Sequence, residues 1–238
     1  MISTRFKILI ASLILVIGTS ASALLPQERT VIDVIAVEYP PFTSAQMSTN
    51  GLSFEVLNIA ASHLNYTWKP VFYPPKRALK MIREGNWCAS FYPATQSKDH
   101  HLVNLHEEKF SISLIRKKRN TEFKWKHLSE FKGQSVALLR TSKDSDFAKQ
   151  FIEAGIAMIF VETVDASLKM VEHGRVDFAM YDSFSFTLLD STESSELQFA
   201  ATSLIDMPVR MFINKKCLNV ERLNLQPVQG SLNKKRLN

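Results

Sequence analysis

Tyr39-Pro40-Pro41-Phe42 is the densest set of groups in the chain suited to holding a small molecule. The two prolines stiffen a turn and fix an aromatic ring at each end of it, directly after an apolar strand-like run. Open α/β sheets bind ligands beyond the carboxyl ends of their strands, so Tyr39 and Phe42 are candidate ligand walls, with packing into the core as the competing use. Arg140-Thr141-Ser142 occupies the corresponding place in the second half, between a strand pattern and a helix pattern. Hydroxyls and free backbone N–H groups at a helix start favour an anionic group, against the plainer role of an N-cap. Asp182 follows another strand pattern. It offers a carboxylate to an ammonium or hydroxyl group, or else caps the next helix.

Chemistry beyond binding finds little support. The chain has no G-x-S-x-G elbow, no P-loop and no G-x-G-x-x-G, and only seven glycines in all. His100, His101 and His106 lie near Asp99, Glu107 and Glu108, but without regular ligand spacing, so a solvated polar connection is expected there rather than a metal site. No catalytic residue, metal or cofactor is therefore expected. The opposing enzyme reading rests on Glu55 and His100 as the visible acid–base candidates.

The elements that must position these residues alternate along the chain. β-Branched and apolar runs predict strands over 31–37, 67–73, 87–92, 110–115, 135–139, 157–161, 176–181 and 209–214. Apolar stripes at helical spacing predict helices over 53–64, 77–84, 144–154 and 166–173, with Gly85 and Gly174 as stops. Strands separated by such helices form mainly parallel sheets. Residues 79–88 also match residues 168–177 at a constant offset of 89, each reading helix, glycine, strand. One copy in each half predicts two similar lobes.

The ends of the chain carry other messages. Arg5 and Lys7 precede an almost wholly apolar run over 8–17, and Ala21-Ser22-Ala23 follows. This is the layout of a cleaved secretory signal peptide, too short in its apolar part to anchor in a bilayer. The expected mature protein starts near Leu24, is free in the periplasm and spans about 215 residues. The net charge of +6 belongs to the two ends: residues 24–214 hold 21 basic and 22 acidic residues. No positive surface for a phosphate backbone follows, so nucleic acid is not an expected partner. Cys88 and Cys217 suit an oxidising compartment; they pair, or one is a buried thiol and the other a thiol of the tail. Beyond Pro208 one strand remains, and the last two dozen residues, polar and broken by Pro227 and Gly230, are expected to be loosely ordered.

Taken in order, several segments resemble the family 3 solute-binding proteins, the periplasmic receptors of polar amino-acid ABC importers. They are the Tyr-Pro-Pro-Phe turn, Gly51-Leu52-Ser53-Phe54-Glu55 opening the first helix, the unit over 79–87 and Phe110-Ser111. Phe131-Lys132-Gly133-Gln134-Ser135-Val136-Ala137, the stretch from Gly174 to Asp177, and Asp182 complete the series. The resemblance covers roughly residues 31–214. It implies a two-lobed α/β fold of the type II periplasmic-binding class, each lobe a mainly parallel sheet flanked by helices, the two joined by hinge strands. A signal peptide over 1–23, lobe one over 24–113 plus 206–238 and lobe two over 114–205 are the implied divisions. Carried over by position, Tyr39 and Phe42 flank the ligand, Thr95 donates to it from lobe one, Thr141 and Ser142 meet its carboxylate, and Asp182 meets its amino group. The implied protein is a monomer that takes a small polar solute, an amino acid or a relative of one, and presents it to an ABC permease in the inner membrane.

Three departures qualify that expectation. The family usually places an arginine shortly after the threonine to grip the ligand's carboxylate in bidentate fashion. Here the position falls near His100, and no arginine occurs between Arg83 and Arg116, so Arg77 or Arg140 is the expected substitute. Cys88 stands where lobe one usually has Asp, and no closing amphipathic helix is recognisable after Asn219. A catalytic relative of the same fold, such as a dehydratase, and an orphan sensor or decayed receptor without a transport partner are the rival functions.

Overall fold

β-Branched residues form the first strand because they pack well on both faces of a pleated surface. In the computed structural model, which describes residues 29–94, 98–189 and 195–232, β1 (Thr30–Ala36) pairs in parallel with β2 (Tyr66–Phe72) and β3 (Ala89–Ser90). Its side chains alternate between two cores. Ile32, Val34 and Ala36 pack with α1 (Leu52–Ala60), whereas Ile35 packs with Ala78 and Ile82 of α2 (Pro75–Glu84). Gly85 ends α2 in the left-handed conformation, φ 78°, which costs glycine no Cβ clash.

The same three layers recur in the second half. β5 (Ser135–Leu139) pairs in parallel with β6 (Ala157–Val161) and β7 (Phe178–Asp182). Val136 and Leu138 face Phe151 of α3 (Asp146–Glu153), while Ala137 faces Leu168 and Val171 of α4 (Val164–Glu172). A short helix, α5 (Ser183–Phe186), follows β7.

Two 18-residue strands, β4 (His100–Lys117) and β8 (Leu197–Asn214), run antiparallel between these halves. The strand order is β2-β1-β3-β8-β4-β7-β5-β6, so β3 pairs with the last residues of β8 and β7 with the last of β4. The ladder between β4 and β8 breaks its register between Asn104 and Lys109 and again around Ser113. Such irregularities locally increase bend and twist, here midway between the two packed ends. The result is a two-lobed α/β fold.

The structure corrects four expectations. Residues 100–109 form a strand, not a polar connection: His106 is buried, and its Nδ1 accepts from the backbone N–H of Glu108. Burial holds the His106 imidazole below its usual value. The strand expected over 87–92 is confined to Ala89–Ser90, and β8 begins twelve residues before Val209. The tail is packed rather than loose through residue 232. α6 (Val220–Leu223) carries Leu223 into the first core together with Leu218 and Leu232, and Val228 bonds Leu105 across a backbone bridge. Of the two arrangements left open for the cysteines, the structure has the pair: Cys88 and Cys217 form a disulfide, Cα–Cα 5.1 Å, beside Asn214, whose side chain donates to the carbonyls of Gly85 and Trp87. Among the described residues no helix is long and apolar enough to cross a membrane, and the expected signal peptide over 1–23 lies outside them.

Candidate ligand-binding cleft

The turn after β1 is held by backbone geometry. Its Pro40–Pro41 bond is cis, the Phe42 and Thr43 N–H groups donate to the Tyr39 carbonyl, and Thr43 Oγ1 donates to the Val37 carbonyl at 2.7 Å. The start of α1 docks against it: Leu52 N–H donates to the Pro41 carbonyl and Ser53 N–H to that of Phe42. Only glycine fits at 51. Its φ is +96°, and a Cβ there would lie 2.6 Å from the Phe42 carbonyl oxygen. The helix N-terminus thus spends its first donors on the turn that carries Tyr39 and Phe42.

On the opposite lobe, Ser145 caps α3 by accepting from Ala148 N–H, and its own hydroxyl donates to the Ser142 carbonyl at 2.7 Å. Thr163 caps α4 and Asp182 caps α5, the latter accepting from Ser185 N–H at 2.6 Å. Asp182 is fully buried. Its other oxygen accepts the Tyr39 hydroxyl at 3.1 Å, a bond that joins the lobes. Burial pushes the Asp182 carboxyl up, against the lowering effect of its bonds from Ser185 and Tyr39. Burial, and then the Asp182 carboxylate, raise the Tyr39 phenol.

Further contacts close the lobes on each other. Tyr92 Oη donates to the Arg140 carbonyl, and Arg83 approaches Ser142 Oγ at 3.5 Å. Leu139 packs into the core of α2, and Phe184 lies 5.6 Å from the Phe42 ring. Between these contacts lies a cavity of about 290 Å³, near the lower end of the ligand-cleft range of roughly 300–1,000 Å³. Its walls come from lobe one (Tyr39, Phe42, Tyr92), lobe two (Thr141, Phe147, Met180) and the hinge strands (Phe110, Ile205, Arg210, Phe212).

The residues singled out from the sequence divide accordingly. Tyr39, Phe42, Arg140 and Thr141 line the cavity. Arg140 is also held through Nε by Glu162. Ser142 is buried behind the lining as the turn that positions Ser145, and Asp182 is occupied by Tyr39 and the cap. Arg77 lies outside, over the Tyr73 ring at 4.7 Å, in an open outer groove with Lys76, Lys80, Arg83 and Lys143. Glu55 is likewise outside the lining, and accepts from Thr49 Oγ1 at 2.7 Å because the first turn of α1 faces the 43–50 loop. His100 packs at a tilt against Trp87, ring centroids 5.0 Å apart. Thr95 lies outside the described residues.

Sequence reasoning missed Arg210, Ser145 and the aromatic residues Phe110 and Phe147. Arg210 had a readable signal: it is the one charged residue between Val209, Met211 and Ile213, whose alternation sends it to the opposite face of the strand.

No protein-family profile matches the sequence, and no curated protein does. Solved structures do match in fold. The ligand-binding core of GluR0 from Nostoc punctiforme, in complex with L-glutamate, aligns with TM-score 0.62 and 13% identity over 81% of this chain and 89% of its own. An ancestral arginine-binding protein bound to arginine aligns with TM-score 0.62 and 16% identity over 83% and 89%. The VFT2 domain of Bordetella pertussis BvgS aligns with TM-score 0.57 and 14% identity over 87% and 90%. The likeness thus extends over 81–87% of the chain, and this protein shares the two-lobed α/β fold of these structures.

Proposed function

We propose that the protein captures a small solute between its two lobes without converting it. The observation that carries this reading is the cavity of about 290 Å³, walled by both lobes and by both hinge strands. A site so built is completed only when the lobes meet, which excludes water and strengthens each polar contact inside. Lobe one comprises 24–113 plus 206–238 and lobe two 114–205, boundaries supported by the register break of β4 and β8 around Ser113. Tyr39, Phe42, Thr141 and Arg140 contact the solute, with Asp182 setting the closed geometry through Tyr39. After removal of residues 1–23 the chain acts as a periplasmic monomer, and an ABC permease reads its closed form. The similar structures bound to L-glutamate or to arginine favour a solute of amino-acid size.

The catalytic alternative loses its two acid–base groups to geometry, because Glu55 and His100 do not line the cavity. A thermal-shift screen of purified residues 24–238 against amino acids, amines and small carboxylates tests the reading. Saturation at 100 times Kd stabilises the folded state by about 2.7 kcal/mol, or a Tm rise of roughly 5–10 °C for a chain of this size. A flat response across every solute class removes the proposal; release of a product from the bound solute replaces it with the enzyme.

A further inference from the structure

We infer that Arg210 is the anchor for the solute's charge, and that the solute is a monocarboxylate with an aromatic or branched apolar body and no ammonium group. The inference rests on the solute-binding reading and specifies the ligand of that same cavity.

Among the described residues the lining contains two guanidinium groups, Arg140 and Arg210. Arg140 is neutralised by Glu162. The Arg210 side chain has neither a hydrogen-bond nor an ion-pair partner among the described residues, although the β8 strand that carries it is packed on its other face through Val209 and Met211. Burial alone lowers its pKa, with no acidic neighbour contributing, yet a guanidinium stays charged at any physiological pH. A half-buried cation without a counter-charge is costly, and a carboxylate restores the balance through two parallel N–H···O bonds. Its place on β8 suits that role, since Asn104, its partner across the ladder, is the last paired residue before the register break.

The rest of the wall selects against a zwitterion. Among the described residues no Asp or Glu lines the cavity, and the two carboxylates bonded to its lining are used inside the protein: Asp182 accepts from Tyr39 and Ser185, and Glu162 from Arg140. An α-ammonium group would enter without a counter-charge beside an unpaired guanidinium. An apolar body instead meets Phe42, Phe110, Phe147, Phe212 and Met180, where burial of carbon is favourable.

Calorimetric titration of the mature protein with 3-phenylpropanoate, L-phenylalanine, phenethylamine and 3-phenylpropanamide tests the inference, in the wild type and in Arg210→Gln, Arg210→Met and Arg77→Gln. The four probes share one ring and chain and differ in charge. We expect 3-phenylpropanoate to bind at least tenfold more tightly than the other three. Arg210→Gln and Arg210→Met should each weaken it by about tenfold to a hundredfold, the loss of a charge-assisted pair, while Arg77→Gln in the outer groove leaves it unchanged. Thermal melts of the ligand-free variants separate this loss from misfolding, since removal of an unpaired cation leaves Tm equal or higher. Preferred binding of the amine or the zwitterion overturns the inference while the solute reading stands, as does carboxylate binding indifferent to Arg210. No binding by any of the four, with a flat response in the wider screen, removes both.

Discussion

Asp182 shows how one carboxylate can be withdrawn from ligand chemistry. Its position at the end of β7 was legible in the sequence, because the strand pattern stops there, but the same residue type at the same place serves a cap equally well. The structure uses both oxygens internally. Its carboxyl is raised above the ordinary 3.8 by burial. The sign follows: the folded state holds the proton more tightly, so the contribution is full below pH 3.8 and is lost as pH rises through the folded value. Asp182→Asn cannot ionise, so its Tm should fall less than that of the wild type between pH 4 and pH 7, as melts across that window will show. Tyr39→Phe removes the donor and leaves a buried oxygen short of one bond; urea unfolding should record a loss of about 1–2 kcal/mol. Tyr39, Phe42 and Thr141 were readable because strand ends announce themselves. Alternation sets Arg210 on the face opposite Val209 and Met211, but the sequence does not say that this face meets a cavity.

Elements were readable in proportion to their apolar content. β1, β5 and β6 have dense β-branched or aliphatic runs and appear within a residue of their expected bounds. The first half of β8 contains Ala200-Ala201-Thr202-Ser203, which has neither alternation nor bulk, and the start of β4 is rich in His and Glu; long-range pairing makes both into strands. The tail escaped for a related reason: Leu218, Leu223 and Leu232 are spaced too widely to form a stripe, yet each reaches the first core. At Gly51 the fit of α1 to the aromatic turn leaves no room for a methyl group. Gly51→Ala should therefore cost about 2–3 kcal/mol in denaturant unfolding and weaken solute binding with it, since the turn must move. The Cys88–Cys217 bond spans 129 residues. In the chain-entropy account a loop of that length is worth about 5 kcal/mol, so the double Cys→Ala variant should melt roughly 10–20 °C below the oxidised protein.

For the whole molecule, order of assembly does not follow order of synthesis. β3 leaves the ribosome early, but its neighbour in the sheet, β8, and the sulfur that locks Cys88 come more than a hundred residues later. The β5–β6–β7 unit, by contrast, draws its parallel pairs from one continuous stretch. The part begun first is therefore completed last. Until then its half-built sheet edge and the Cys88 thiol are open to wrong partners.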